Sequence, residues 1–306
     1  MAQADPKPIL DKDEQRSRAQ RDRYRFGALL IGVVAGAAVV DGYVLQGLPS
    51  TLVLALLAIL CAVETAAMVR SAGLDPFSKA SLAIAIGMVA LHVLPRVEQA
   101  FFPAAAAPVI RRLRTAELAL GAMLLFSVCC VLRARTKGAA GTLGAGMLVV
   151  LVPATLLYCI DIRYYFDDAP KPEGLRLLLF LVAVSKVGDI AAYLVGSQIG
   201  RHKLIPAVSP GKTWEGSIAS LIASTGVAAL FAVLRAAAPL TLELAIVAGI
   251  LINIASQFGD LVESLLKRSG GVKDSGSWVP QFGGAFDMVD SLFLAAPVFY
   301  GFVRLT

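Results

Sequence analysis

The sequence alternates between long apolar runs and short polar segments. Each apolar run has about 20 residues, the length that an α-helix needs to cross the hydrocarbon core of a bilayer. Hydropathy predicts nine such spans, at residues 27–47, 51–69, 79–95, 116–133, 141–160, 176–197, 217–235, 241–259 and 285–303. The pattern therefore predicts an all-α, polytopic integral membrane protein with about nine transmembrane helices.

The composition agrees with this class. Hydrophobic residues make up 57% of the chain and charged residues 16%, whereas about a quarter of an ordinary soluble domain is charged. The net charge of +6 comes from loops and from the N-terminal tail, which argues for topology determination and against nucleic-acid binding. The four cysteines lie in or beside apolar runs and are interpreted as core residues: Cys61, Cys129, Cys130 and Cys159.

The distribution of basic residues predicts the topology. Residues 1–25 form a charged tail that we expect to be cytoplasmic. The N-terminal transmembrane helices follow at 26–175, and the C-terminal transmembrane helices at 176–306 are expected to carry the catalytic site. The inside loops are then 70–78, 134–140, 198–216 and 260–284, and the acidic loop 161–175 lies outside. Loop 96–115 is an exception, since it carries Arg96, Arg111, Arg112 and Arg114 and is also placed outside.

The polar stretch 256–290 separates the last two apolar runs. Three carboxylates lie at the ends of those runs: Asp260, Asp287 and Asp290. Carboxylates that converge without His or Cys suit a hard cation such as Mg²⁺. Between them lie three basic residues that suit phosphate groups: Lys267, Arg268 and Lys273. A solvated loop with snorkelling cations is the alternative, and it explains the basic residues better than the carboxylates.

Two further polar clusters precede this stretch. Asp189 lies inside a predicted span, where it either pairs with Lys186 across a helix contact or faces a polar cavity. Segment 209–216, SPGKTWEG, predicts a Pro-Gly turn that places Lys212 at a helix N-terminus, a position that suits a phosphate. The alternative is an ordinary capped interfacial turn. Together the clusters predict a membrane enzyme that handles phosphate with Mg²⁺, with a transporter as the alternative.

These clusters resemble the phosphatidate cytidylyltransferase family over about residues 185–290. The signature residues are present in register: Ser264, Lys267, Arg268, Lys273, Asp274, Gly276, Pro280, Gly283, Gly284, Asp287 and Asp290. The resemblance implies that CTP and phosphatidate react to give CDP-diacylglycerol and pyrophosphate. It also implies a bacterial inner membrane location, with the site facing the cytoplasm among membrane lipids. A homodimer is compatible with the sequence.

The resemblance also implies roles for individual residues. The expected catalytic residues are Asp260, Asp287, Lys267, Lys273 and Asp274. The expected substrate-binding residues are Lys212, Thr213, Ser264, Arg268 and Asp189. The expected ligands of Mg²⁺ are Asp260, Asp287 and Asp290.

The chain departs from the signature at two main positions. Phe282 replaces a histidine and Met288 replaces an arginine, so a proton carrier or phosphate donor and a phosphate or carboxylate partner are lost. The expected result is a working metal and nucleotide site with an altered rate or substrate preference. The alternatives are a paralogue that acts on another lipid phosphate and a non-catalytic, lipid-binding membrane protein.

Overall fold

The computed structural model describes residues 40–41, 47–74, 78–101, 115–132, 139–165, 172–237, 239–276 and 283–306. Eight long helices occupy these ranges. In chain order they are α1 (Leu48–Ser71), α2 (Ser78–Phe101), α3 (Thr115–Leu132), α4 (Ala139–Arg163), α5 (Pro172–Ile199), α6 (Trp214–Val233), α7 (Leu242–Ser269) and α8 (Ala285–Leu305).

Each of the eight described helices overlaps one predicted span, in the same order along the chain. Seven of the eight described helices are long and apolar enough to cross a membrane, namely all except α3. Helix α3 coincides with the predicted span 116–133. The predicted span 27–47 lies almost entirely outside the described residues, as do the tail 1–25 and most of loop 96–115. The protein is thus a helical, integral membrane protein.

Two predicted helix ends are wrong. The third span was expected to end at Pro95, but α2 continues to Phe101 with Pro95 inside it. The eighth span was expected to end at residue 259, but α7 continues to Ser269. Hydropathy marks where a helix stops being apolar on all sides, whereas the backbone stays helical as long as one face remains buried. The first ten residues of the predicted loop 260–284 are therefore helical.

A short antiparallel hairpin lies between α5 and α6. Its strands are β1 (Lys203–Ile205) and β2 (Ser209–Thr213), with Lys203 opposite Thr213. The expected turn at Pro210-Gly211 is part of strand β2, and the chain reverses at residues 206–208 instead. Thr213 ends the hairpin and caps α6, since its side chain accepts a hydrogen bond from the Gly216 amide at 3.2 Å.

One apolar core joins all eight helices. Buried side chains from each of them belong to a single cluster, which runs from Ala55 in α1 to Val303 in α8. Cys61 and Cys159 are buried free thiols within it, as predicted, while the side chains of Cys129 and Cys130 lie outside the described residues. Small residues let α5 approach α6, because a Cβ at Gly216 would lie 2.7 Å from the Ala192 carbonyl oxygen.

A polar cluster where α2 and α4 end accounts for part of the exception in the charge pattern. The Asp161 carboxylate, buried in α4, lies 2.9 Å from the Arg96 guanidinium and 3.1 Å from the His92 ring. It also accepts a hydrogen bond from the Thr115 hydroxyl. Arg96 is therefore an ion-pair partner rather than a free loop charge, and Asp161 belongs to a helix rather than to the predicted loop 161–175.

We expect Asp161→Asn to lower the free energy of unfolding by about 3 kcal/mol, because it leaves the Arg96 charge without its buried partner. Thermal unfolding in detergent measures this as a lower Tm. The matched control is Glu98→Gln in α2, an exposed carboxylate whose removal should leave Tm unchanged. Equal Tm values for the two variants would contradict a stabilising role for the cluster.

Candidate functional site

Helices α7 and α8 bring the sequence-predicted carboxylates together. Asp260, Glu263 and Lys267 follow one another at spacings of three and four residues, so they share one face of α7. Asp287 and Asp290 share one face of α8 for the same reason. The two helices touch at Gly259, where a Cβ would lie 2.5 Å from the Asp290 carbonyl oxygen. A larger residue at position 259 would therefore push the two polar faces apart.

The first group of charges is formed by Asp189, Asp260 and Asp290 with two lysines, and we call it the three-carboxylate cluster. Lys212 Nζ on strand β2 lies 3.2 Å from Asp260 Oδ2. Lys186 Nζ on α5 lies 3.3 Å from Asp189 Oδ2 and 3.8 Å from Asp290 Oδ1. Asp260 interacts electrostatically with both other carboxylates. Three predicted motifs thus meet here, from α5, the hairpin and the α7–α8 pair.

This cluster has unused capacity for a cation. Asp260 Oδ1 is buried and has no hydrogen-bond partner among the described residues. Three carboxylates face two lysines in this part of the structure, so the carboxylates outnumber the ammonium groups by one. A buried carboxylate oxygen without a partner is costly in a medium that lacks water. The hard oxygen donors therefore fit Mg²⁺ chemically, although no group of three or more acidic, His or Cys side chains among the described residues is arranged to hold a metal ion.

The second group of charges surrounds the start of α8, and we call it the α8 N-terminal cluster. Lys267 Nζ lies 2.7 Å from both Glu263 Oε2 and Asp287 Oδ1. Asp287 Oδ2 accepts hydrogen bonds from the amides of Ser275 and Gly284, each at 2.8 Å. Asp287 therefore caps its own helix and fixes Lys267. This geometry does not place Asp287 in contact with Asp260, so their joint binding of Mg²⁺ stays a prediction.

Glycine is required beside Asp287. Gly283 has a φ of +89°, a backbone conformation that other residues rarely adopt. A Cβ at this position would also lie 2.5 Å from Asp287 Oδ2. The Gly283-Gly284 pair of the signature thus lets the backbone pass close to the carboxylate that caps α8.

Glu64 belongs to the same cluster although the sequence analysis did not select it. It lies on α1, in the half of the chain that was not expected to carry the site. Its two carboxylate oxygens accept hydrogen bonds from the amides of Ala285 (2.8 Å) and Phe286 (2.9 Å) and from the Ser275 hydroxyl (2.8 Å). The available signal was a carboxylate standing alone inside the predicted span 51–69, which calls for a partner.

The other predicted site residues lie at the edge of these clusters or outside them. The Thr213 side chain is buried and caps α6. To bind substrate as well, its hydroxyl would have to contact the substrate in addition to the Gly216 amide. Ser264 is half-buried on α7, whereas Arg268, Lys273 and Asp274 are exposed. Within the described part of the chain, neither Arg268 nor Lys273 forms an ion pair. Their predicted roles therefore depend on a ligand that approaches from solvent.

The chain departs from the signature at Phe282 and Met288. Phe282 lies outside the described residues. Met288 is half-buried and packs against the apolar core, next to Asp287 in sequence but on another face of α8. An arginine side chain at this position would first lie against the same apolar contact, and burial of its charged end there would cost free energy. The substitution therefore replaces a charge by core packing without touching the lysine–carboxylate pairs.

Comparison with known proteins agrees with the resemblance. The Cytidylyltransferase family model matches residues 22–306. The chain is 46% identical over 131 residues to the uncharacterized protein YnbB of Escherichia coli (strain K12), with 43% of each chain covered. It is 44% identical over 132 residues to the phosphatidate cytidylyltransferase of Brucella suis, covering 43% of this chain and 48% of the relative. It is 41% identical over 144 residues to the phosphatidate cytidylyltransferase of Haemophilus influenzae, covering 46% of this chain and 49% of the relative.

The matched region spans about half the length of these relatives. The family match, in contrast, extends over nearly the whole sequence and includes the N-terminal helices as well as the signature region. The chain therefore belongs to the cytidylyltransferase family.

Proposed function

We propose that the protein is a membrane-bound, CTP-dependent phosphatidate cytidylyltransferase that makes CDP-diacylglycerol and pyrophosphate. The observation that carries the proposal is the Lys212–Asp260 pair, with Nζ and Oδ2 3.2 Å apart. It joins the SPGKTWEG hairpin to the α7 carboxylate, and Asp260 Oδ1, which has no hydrogen-bond partner among the described residues, could bind a cation. The family match and the relatives named phosphatidate cytidylyltransferase support the same reaction.

The proposed reaction joins two anions. A phosphate oxygen of phosphatidate attacks the α-phosphorus of CTP, a new P–O bond forms, and the bond from the α-phosphorus to the bridging oxygen breaks to release pyrophosphate. The attacking oxygen is already charged, so no strong general base is required. Repulsion between the phosphates is the main obstacle, and preorganised cations reduce it. Lys186, Lys212 and Lys267 are each held in place by a carboxylate and would serve this purpose.

We propose Mg²⁺ as the cofactor, with Asp260, Asp287 and Asp290 as its candidate ligands. Asp260 is the strongest candidate because of its unpartnered oxygen. Asp290 follows, since it belongs to the same cluster and lies 3.8 Å from the Lys186 ammonium. Asp287 already accepts hydrogen bonds on both oxygens. Bound Mg²⁺ would stabilise the negative charge that develops on the phosphate oxygens.

An apolar groove beside the cluster suits a lipid substrate. It encloses about 370 Å³ and lies between the hairpin, α6 and α7, with Trp214, Ile218 and Phe258 in its lining. Gln257 also lines the groove and lies three residues before Asp260, on the same face of α7. We infer that lipid tails lie against these exposed apolar side chains, with the headgroup near Asp260. The basic residues of hairpin and loops support a cytoplasmic, inner-membrane orientation, where CTP is available.

A second candidate is the same transfer to a different lipid phosphate, such as a polyprenyl or ether-lipid phosphate. Met288 favours it, because the apolar side chain stands where the signature has an arginine. Purified protein should be assayed with labelled CTP, Mg²⁺ and each lipid phosphate in parallel. Formation of a CDP-lipid from phosphatidate supports the first candidate, and formation from another lipid phosphate alone supports the second. No product from any of them would overturn the enzyme assignment.

We expect Asp260→Asn to reduce formation of CDP-diacylglycerol by about a hundredfold or more. The substitution removes the charge that balances Lys212 and weakens the unpartnered oxygen as a cation ligand. Labelled CDP-lipid formed per unit of folded protein is the measurement.

The matched control is Glu243→Gln, an exposed carboxylate in the first turn of the same helix. It lies roughly 25 Å from Asp260 along the helix axis, so this variant should keep full activity. Near-normal activity of Asp260→Asn would remove Asp260 from the site.

Replacement of Lys212 by methionine should raise KM for CTP about tenfold or more, because a phosphate-binding charge at the hairpin is lost while the apolar stem is kept. The control is Lys203→Met on the neighbouring strand, an exposed lysine that should leave KM unchanged. Steady-state kinetics over a range of CTP concentrations separate the two. Equal KM values for both variants would show that Lys212 does not contact the nucleotide.

A further inference from the structure

Helix α1 contributes one ionisable side chain to the α8 N-terminal cluster. Glu64 is 2% exposed and is surrounded by donors that belong to α8 and the preceding loop. Its Oε1 accepts from the Ala285 amide, and its Oε2 accepts from the Phe286 amide and from the Ser275 hydroxyl. The first backbone N–H groups of a helix have no partner within the helix and carry partial positive charge. The Glu64 carboxylate therefore matches the start of α8 in both hydrogen bonding and charge.

Ser275 connects Glu64 to Asp287. The Ser275 hydroxyl lies 2.8 Å from Glu64 Oε2 and 2.9 Å from Asp287 Oδ2, and it accepts from the Asp287 amide at 3.3 Å. A hydroxyl carries only one proton, so the two carboxylates share a single donor. The Ser275 amide bonds to Asp287 as well, at 2.8 Å. The orientation of Asp287 thus depends on a loop residue that Glu64 also holds.

Asp287 in turn fixes Lys267, whose ammonium lies 2.7 Å from Asp287 Oδ1. The contacts form a continuous series from Glu64 through Ser275 and the α8 N-terminus to Asp287 and then to Lys267. Gly284 packs closely against this series, because a Cβ there would lie 2.1 Å from Ser275 Oγ and 2.4 Å from Glu64 Oε2. A change at Glu64 acts directly on the amides at the start of α8 that it accepts from.

We propose that Glu64 is a positioning residue that, through Ser275 and the start of α8, sets the place of Asp287 and Lys267 for nucleotidyl transfer. It does not touch substrate. The inference rests on the proposed function for its catalytic consequence, while its structural part stands independently of that function. It also gives α1 a direct part in a site whose other described charges all come from residues 186–290.

The test compares Glu64→Gln with Thr65→Val. Glutamine has the same shape as glutamate, but its NH₂ group donates and cannot accept from a backbone amide. One α8 amide or Ser275 therefore loses its acceptor. Thr65 is a matched control because it is buried next to Glu64 in α1, and within the part of the chain that the structure describes its hydroxyl bonds to the Cys61 carbonyl oxygen of the same helix, at 2.7 Å.

Hydrogen exchange of backbone amides is the readout that does not depend on activity. In Glu64→Gln we expect exchange at residues 285–287 to be about tenfold faster or more, in line with the loss of a hydrogen bond to a charged group. Thr65→Val should leave these amides unchanged. Equal protection in both variants would overturn the proposal, whether or not the protein transfers a nucleotide.

The catalytic consequence is tested in the same proteins by kcat and KM per folded molecule. We expect Glu64→Gln to lower kcat about tenfold or more, and Glu64→Asp, which keeps the charge, to recover part of the loss. Combined with Ser275→Ala, the loss in kcat should be smaller than the product of the two single losses, because both act through Asp287. Unchanged kcat in Glu64→Gln, or independent effects of the two substitutions, would contradict the positioning role. Wild-type protein without activity would instead reject the proposed function.

Discussion

A carboxylate within a membrane protein must find a cation or a set of hydrogen-bond donors, and the site is built around this constraint. Removing an isolated charge from water costs far more free energy than any single contact returns. Lys212 therefore faces Asp260, Lys186 faces Asp189 and Asp290, and Lys267 lies between Glu263 and Asp287. Glu64 uses backbone donors at the start of a helix instead. The three lysine pairings hold Lys186, Lys212 and Lys267 in defined positions, and under the proposed function these positions would face a phosphate.

Under the proposed function, the same pairs would place cations where an anionic substrate binds. Without a ligand, the lysines face the carboxylates. If phosphates bound, the lysines could turn towards them, and the carboxylates would then need a new cation. The proposed divalent metal ion would meet that need, and it would enter together with the nucleotide phosphates. Among the described residues, two buried carboxylate oxygens lack a hydrogen-bond partner, Asp260 Oδ1 and Glu263 Oε1. Of these two residues, Asp260 is the one proposed as a metal ligand, which makes it the first place to look for the metal ion.

Several features were predictable from the sequence because they depend on local pattern. The length of the apolar runs predicted the helices. The charges within and beside those runs predicted the region where the charged side chains meet. The pairings were not predictable, because they depend on which helix faces meet: Lys212 could equally have faced solvent. Hydropathy also could not show that α7 continues past residue 259, since its last turns are amphipathic rather than apolar. Glu64 was visible as a lone carboxylate in an apolar run, but its partner is more than 200 residues away in the chain.

Charge counting along the sequence has a related weakness, and Arg96 illustrates it. The positive-inside rule counts the basic residues of loops, yet Arg96 lies within helix α2 and pairs with the buried Asp161, so it is not a loop charge. The same distinction bears on Met288. A missing arginine counts as a lost charge in the sequence, but in the structure the methionine belongs to the apolar face of α8. The face with Asp287 and Asp290 keeps all its lysine partners. The substitution therefore alters the surroundings of the site more than its charges, which favours a change in substrate preference over loss of the reaction.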